Sequence, residues 1–435
     1  MINKQDNDAG QRKRERFLRA VAGQAANELD SLGDSGGGNI SLEYFYGVLE
    51  QVYVSNELLT VWGPDMARKP VIGLYCIMAP EELIYAAGAI PVRLCAGCFD
   101  AAKTGEDYLP RDSCPLVKSS MGLTVNSGLK VFDMCDVVII PTTCDSKRKL
   151  GEELSAFKEV WMLEVPHIKD TEHSRRTWLE QIWALKNRLE GFVTPDGRKC
   201  RRITTAALGS AIDDSLRAQR EIRRLLDLRK ADMPPISGRQ ATAVVNSYAY
   251  APVAEWTSAL ACLNDSLEKQ AVSGKPKPRI YMAGSPPVFP NLKIPELVEE
   301  MGGIVVSDES CAGDRYLYDP VGSAERNLDD QITALASRYM APCVCPSFAP
   351  NQDRLYVMKR NLQDYAVEGV VYHVLKGCII YDFEVARVEK MLKEMGIPMI
   401  RVETDYHPED VEQLRTRVEA FIEMLKIKRK AGAKG

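Results

Sequence analysis

Histidine is scarce in this chain: four in 435 residues, His167, His173, His373 and His407, none of them in an HExxH pattern. That argues against a zinc or haem centre built on imidazole, and leaves sulfur to hold any metal. No stretch approaches the roughly 18 uncharged apolar residues of a membrane helix. The polar segment Met1–Arg19 lacks the apolar core of a secretion signal, so a cytoplasmic chain is expected, with no membrane contact. Charge of one sign is not in excess either. Lys plus Arg number 56 and Asp plus Glu 60, a net charge of −4, which gives no electrostatic case for nucleic-acid binding. The basic patch Arg12-Lys13-Arg14 reads as a solvated helix face. Also absent are Gly-x-x-x-x-Gly-Lys-Ser/Thr, a strand-linked Gly-x-Gly-x-x-Gly and Gly-x-Ser-x-Gly. Neither ATP hydrolysis nor nicotinamide binding is therefore visible on this chain.

What is present is a balanced globular composition, 45% hydrophobic and 27% charged, long enough for two or three domains. Two helix-like runs, Arg12–Leu32 and Leu42–Leu58, flank a glycine-rich loop over Asp34–Asn39, with Ser41 as a cap. From Pro70 short apolar runs alternate with helical periods. Strands are predicted at Val71–Tyr75, Ile90–Leu94, Asp136–Ile140 and Val160–Leu163, with helices from Pro80, Pro115 and Lys147. Thr171–Val272 reads as helical, broken at Pro234-Pro235, and Lys275–Pro278 as a linker. Strands then resume at Arg279–Met282, Gly303–Val306, Gly369–Val374 and Pro398–Val402, with helices from Ile294, Ala324, Gln352, Asp382 and Pro408. Such alternation predicts an α/β fold with two Rossmann-like, doubly wound parallel sheets. The expected division is a helical N-terminal arm (1–69), a first α/β domain (70–170), a helical insertion (171–275) and a second α/β domain (276–435).

Cysteine is the informative residue, with 12 copies. In a reducing compartment disulfides are not expected, and the spacing is too dilute for a disulfide scaffold. On the predicted layout Cys76, Cys144, Cys311 and Cys378 each follow a strand, and Cys114 stands at a helix start where the dipole favours thiolate. Open α/β sheets bind ligands outside the carboxyl ends of their strands, so cysteines from both halves are expected to face one cleft. Any one of them reads most simply as a buried small hydrophobe. Five at strand ends suit an iron–sulfur cluster. Cys135, Cys200 and Cys262 fall in predicted strand or helix and read as packing. Cys95-Ala96-Gly97-Cys98 is a C-x-x-C in a tight βα setting unlike a thioredoxin helix start. Cys343-Val344-Cys345 lies in a proline-flanked loop, and either sulfur could be a ligand.

The run Ala79-Pro80-Glu81-Glu82-Leu83-Ile84-Tyr85-Ala86-Ala87-Gly88-Ala89-Ile90-Pro91-Val92-Arg93-Leu94 has companions further on. They are Cys114-Pro115 with Ser119-Ser120-Met121-Gly122, Thr143-Cys144-Asp145, Val370-Val371 before Cys378, and Glu403-Thr404-Asp405-Tyr406. Together these resemble the 2-hydroxyacyl-CoA dehydratase D-component and benzoyl-CoA reductase family, from about Pro70 to Leu425. The resemblance implies a cluster between two Rossmann-like domains, with a four-iron cubane held by Cys114, Cys144 and Cys378. It also implies a separate ATP-hydrolysing iron–sulfur activator that injects one low-potential electron. Gly73-Leu74-Tyr75-Cys76, Glu309-Ser310-Cys311-Ala312-Gly313 and Pro342-Cys343-Val344-Cys345 are similar to the double-cubane branch. That similarity implies two sulfide-bridged cubanes on six cysteines of one chain, completed by Cys76, Cys311 and either Cys343 or Cys345, and a homodimer. Glu309 and His373 are the catalytic candidates for proton delivery or substrate contact, with Lys118 and Arg315 as further polar candidates. All four are residue types that more often cap or solvate.

Three readings follow. The first is a double-cubane reductase of a small molecule, working with an ATPase activator. The second is a 2-hydroxyacyl-CoA dehydratase or benzoyl-CoA reductase subunit with one four-iron cluster, acting on an acyl-CoA by ketyl-radical chemistry. The third is a non-catalytic iron–sulfur electron carrier.

Overall fold

The computed structural model describes residues 4–33, 42–64, 68–126, 128–316, 319–322 and 327–432. Continuous apolar runs become buried strands. The first sheet holds β1 (Val71–Leu74), β2 (Ile90–Arg93), β3 (Val137–Pro141) and β4 (Val160–Leu163), in the order β2-β1-β3-β4. The second holds β5 (Arg279–Gly284), β6 (Ile304–Asp308), β7 (Gly369–Leu375) and β8 (Met399–Thr404), in the order β6-β5-β7-β8. Every pairing is parallel. Central strands are buried along their whole length because helices cover both faces, whereas the edge strands β4 and β8 expose every other residue.

Both sheets start in the middle, step to one side and cross back to the other. This places a switch of winding direction between β1 and β3, and again between β5 and β7. The expected two Rossmann-like sheets are therefore present. One face of the first sheet packs on the N-terminal helices Lys4–Gly33 and Glu43–Tyr53 and on the helices Gly238–Ser247 and Val253–Lys269. The other face packs on Glu172–Glu190 and on Leu328–Met340, a helix from the second half of the chain. The second sheet is sandwiched between Gln352–Asp364 with Ile379–Glu394 and Lys293–Glu300 with Val411–Gly432.

Some boundaries depart from the expected ones. The helix expected over Leu42–Leu58 ends at Tyr53, and a short helix, Leu58–Trp62, follows. The helix expected to reach Leu129 stops at Val125, and the chain passes beneath Phe17, whose ring would overlap a Cβ on Gly128. Cys200 is not in a regular element: it follows the isolated bridge Val193↔Lys199, and it is buried there. Cys135 precedes β3 rather than lying in it. The loop expected over Asp34–Asn39, the Ser41 cap and the helix start at Ala324 lie outside the described residues. Among the described residues no helix is long and apolar enough to cross a membrane.

Candidate functional site

Three cysteines stand directly before helices: Cys114 before Pro115–Val125, Cys144 before Asp145–Leu154 and Cys378 before Ile379–Glu394. Proline suits the first position of a helix, where an N–H would have no partner to lose. Each sulfur thus lies beside the partnerless N–H groups of a helix start, which favour negative charge. Gly377 brings two of these loops together. Its φ is +74°, and a Cβ there would overlap the carbonyl oxygen of Asp112, so only glycine lets the Cys378 turn lie on the Cys114 loop.

The outcome is a sulfur pair drawn from both sheets. As hydrogen-bond partner, Cys378 holds Cys114 well above the usual thiol range, and burial adds to this. The same partnership, with help from the Ser285 hydroxyl, brings Cys378 down to about 7 against its burial. Cys144 adjoins the pair; burial lifts its thiol, and Lys147 opposes the rise.

A second group of sulfurs lies alongside. Cys76 has a φ of 95°, a left-handed value that a side chain adopts only where its surroundings enforce it. Burial pushes its thiol up, but Lys147, the N–H of Met78 and Arg93 outweigh burial, and the net shift is down. Cys311, past β6, is raised by burial and lies in the field of Arg315, Cys76 and Lys147. Cys343 is pushed up to about 12 by burial against the pull of Arg315, with Cys345 and Cys76 as neighbours. Cys345 stands between the groups, within the field of Cys144 on one side and of Arg315 on the other. All seven candidate cysteines are therefore electrostatic neighbours at the facing ends of the two sheets.

Two further residues belong to this place and were not in the candidate set. Cys95 faces Lys147, Arg93 and Cys76, while its C-x-x-C companion Cys98 is wholly buried in the core; neither is in a disulfide. Lys147 itself faces Cys76, Cys144, Cys95 and Cys311. In the sequence it hides inside Lys147-Arg148-Lys149, which looks like a solvated helix face. Its spacing of three from Cys144 was the available signal. By contrast Cys135 donates its thiol to the Val131 carbonyl oxygen at 3.1 Å, and Cys262 is exposed.

The run Ala79–Leu94 supplies a buried scaffold under the site. Arg93 Nη2 lies 2.8 Å from Glu81 Oε1 and its guanidinium stacks 3.8 Å over the Tyr316 ring, while the Tyr316 hydroxyl also donates to Glu81. Glu82 accepts from Tyr339 at 2.7 Å and Ser215 at 2.9 Å. These bonds tie the first sheet to the loops that carry Cys311 and Cys343.

The polar candidates are variously placed. Glu309 accepts from Arg354 through both oxygens (2.6 and 2.7 Å) and from the Gly284 N–H at 2.7 Å, and Arg354 also bonds Glu384 at 3.0 Å. His373 donates from Nδ1 to the Ser285 carbonyl oxygen at 2.9 Å, and its Nε2 is buried without a partner. Burial lowers His373 to about 4, so it is neutral at pH 7. Lys118 bonds the Arg111 carbonyl oxygen at 2.7 Å and Glu106 at 2.9 Å, fixing the loop that delivers Cys114. Arg315 reaches Tyr381 Oη at 3.4 Å, while its Nε and Nη1 are buried without partners beside Cys345, Cys311 and Cys343.

Among the described residues no three His, Cys, Asp or Glu side chains converge as the ligands of one metal ion do. Ligands of a polynuclear cluster stand farther apart, because each binds a different metal atom. An all-sulfur donor set, faced by Lys147 and Arg315 rather than by carboxylates, fits an iron–sulfur group.

The family model of the 2-hydroxyglutaryl-CoA dehydratase D-component matches residues 76–425, starting at Cys76 and spanning every candidate cysteine. The chain belongs to that family. A chain named as a dehydratase subunit, YjiM, from Escherichia coli (strain K12) is 33% identical over 373 residues, which is 84% of this chain and 94% of the relative. The β subunit of (R)-2-hydroxyglutaryl-CoA dehydratase from Acidaminococcus fermentans is 24% identical over 372 residues, 82% and 93% of the two chains. One of the subunits of benzoyl-CoA reductase from Thauera aromatica is 20% identical over 368 residues, 83% and 92%. An oxidoreductase or hydro-lyase role fits this D-component-family chain.

Proposed function

We propose that this chain is the iron–sulfur component of a two-part reductase and carries a double-cubane cluster. Its ligands in this reading are Cys76, Cys114, Cys144, Cys311, Cys378 and one of Cys343 and Cys345, in a homodimer. The observation that carries it is the second sulfur group: Cys76, Cys311 and Cys343 stand beside the Cys114–Cys144–Cys378 group, with Cys345 between them. When bound, the cluster supplies a low-potential electron to a small substrate.

The chain's own residues do the rest. Helix starts and cations favour thiolate at Cys76 and Cys378, and at Cys144, Cys311 and Cys343 cations oppose the rise that burial causes. Gly377 and Lys118 position the Cys378 and Cys114 loops. A cavity of about 640 Å³, walled by Arg315, Glu309, Asp308, Val344 and Arg354, is of a size that suits a small molecule. Glu309 serves there as a positioning group through Arg354, and His373 offers an unprotonated Nε2 as a proton acceptor near the Cys378 loop. With no nucleotide-binding loop in the sequence, ATP hydrolysis falls to a separate activator that docks transiently over the sulfur loops, a task suited to a small polar interface.

A second reading, a dehydratase subunit with a single four-iron cluster, is favoured by the contact of Cys114 with Cys378 beside Cys144, and by relatives named as dehydratase subunits. Turnover assays test the two-part mechanism. The purified chain alone is expected to show no ATPase activity and no catalytic reduction, and addition of an activator, ATP and a low-potential donor to start turnover. ATP hydrolysis by the isolated chain would sink the proposal.

A further inference from the structure

Among the described residues, two cations at the sulfur loops, Lys147 and Arg315, form no ion pair with a carboxylate, although Arg315 lies in the field of Asp319. Lys147 lies in the first turn of Asp145–Leu154, its Nζ 3.1 Å from Thr143 Oγ1. Its neighbours in the chain point elsewhere: Arg148 pairs with Asp145 at 3.3 Å and Lys149 with Glu152 at 2.6 Å. Lys147 makes no ion pair with a carboxylate among the described residues, and the groups that favour its charge are Cys76, Cys144, Cys95 and Cys311. Those sulfurs follow β1, β3, β2 and β6, so both sheets contribute. Thr143, which accepts from Lys147, stands 3.9 Å from the Cys76 sulfur. Arg315 repeats the arrangement across the site. Its Nε and Nη1 are buried without partners, and Cys345, Cys311 and Cys343 surround it.

Lys147 is half-buried, and a cation held there without a carboxylate partner is favoured where negative charge stands beside it. Around Cys114 and Cys378 the Ser285 hydroxyl and the Leu116 and Tyr381 N–H groups stand near, and the charge of Lys147 reaches Cys378 as well. Lys147 thus faces both sulfur groups, Cys76 and Cys311 on one side and Cys144 and Cys378 on the other, while Arg315 faces Cys345, Cys311 and Cys343.

We propose that Lys147, seconded by Arg315, is the fixed counter-charge of the sulfur-bound cluster, a positioning residue that raises its reduction potential. This rests on the iron–sulfur reading given above. The electron comes from a one-electron donor, no bond is made or broken at Lys147, and its ammonium keeps its proton in both oxidation states. Loss of the charge disfavours the more negative reduced state, so the potential falls.

The test uses anaerobically purified wild type, Lys147→Met and Lys147→Arg. Iron and acid-labile sulfide are measured first. Each protein is then titrated with titanium(III) citrate under visible and electron paramagnetic resonance detection. Lys147→Met is expected to keep its iron and to lose about tenfold in the ratio of reduced to oxidised cluster at a fixed potential, about 59 mV for a one-electron couple. Lys147→Arg, which keeps the charge, is expected to stay near wild type. Should Lys147→Met fail to hold iron while Lys147→Arg holds it, the requirement for charge is equally supported. An unchanged potential in Lys147→Met overturns the proposal, as does loss of iron from both variants with the fold intact by circular dichroism, since shape rather than charge would then matter. Wild type without iron overturns the iron–sulfur reading itself, and the first measurement alone reveals it.

Discussion

At the scale of single residues, cysteines that face other sulfurs differ from those that pack. Replacing Cys114, Cys144 or Cys378 by serine puts hard oxygen where soft thiolate is needed, and should abolish the visible charge-transfer absorption of anaerobically prepared protein. Cys200→Ser and Cys262→Ser should keep it; bleaching by these two but not by the first three would redraw the site. His373 carries a separate prediction. Its folded pKa of about 4 lies below its unfolded value, so the unfolded chain binds more protons between the two and stability falls as the pH drops. Between pH 7 and pH 5 that amounts to about 2 kcal/mol, which denaturant titrations at the two pH values should show and which His373→Gln should remove. The cysteines at strand ends were legible in the sequence because strand and cysteine lie side by side in the chain. Lys147 and Cys95 were not, because their significance depends on which strand ends meet, and a Lys-Arg-Lys run or a C-x-x-C pair has several ordinary meanings.

At the scale of elements, two short features decide whether the sulfur loops meet. Gly377→Ala places a side chain at positive φ, worth about 1–2 kcal/mol by itself, and drives a methyl group into the Asp112 carbonyl. Gly396, with a φ of +68° and open space around it, provides the control. Gly377→Ala should lower stability more than Gly396→Ala does, and it alone should lose iron. The Glu309–Arg354 pair is the other feature. Arg354→Met leaves a buried carboxylate without its partner and should destabilise the chain by about 3–5 kcal/mol, with much of this recovered in Arg354→Met/Glu309→Leu, as thermal unfolding would show. Strands and most helices were readable in advance, since fully buried parallel strands are short apolar runs and the helices between them keep a helical period. Their ends were less so: past the stop at Val125, Gly128 runs against the ring of Phe17, more than a hundred positions away, a contact no local pattern announces. Glu309 shows the same limit, because beside Cys311 in the chain it reads as a reactive acid, and only the fold reveals the arginine holding both its oxygens.

At the scale of the whole molecule, the two sheets repeat one winding order and turn their carboxyl ends toward each other, while a helix from the second half, Leu328–Met340, packs on the first sheet. The sulfur loops are thereby held from both sides, and their geometry depends on the entire chain. Removing either half should abolish cluster binding and not merely weaken it. The central claim, that two groups of thiolates on one chain hold a double cubane, is tested most directly by iron and acid-labile sulfide per chain in protein purified without oxygen. The account predicts about eight irons per chain, two four-iron units. A reproducible value near four would contradict it in favour of the single-cluster dehydratase subunit, and no iron at all would contradict both.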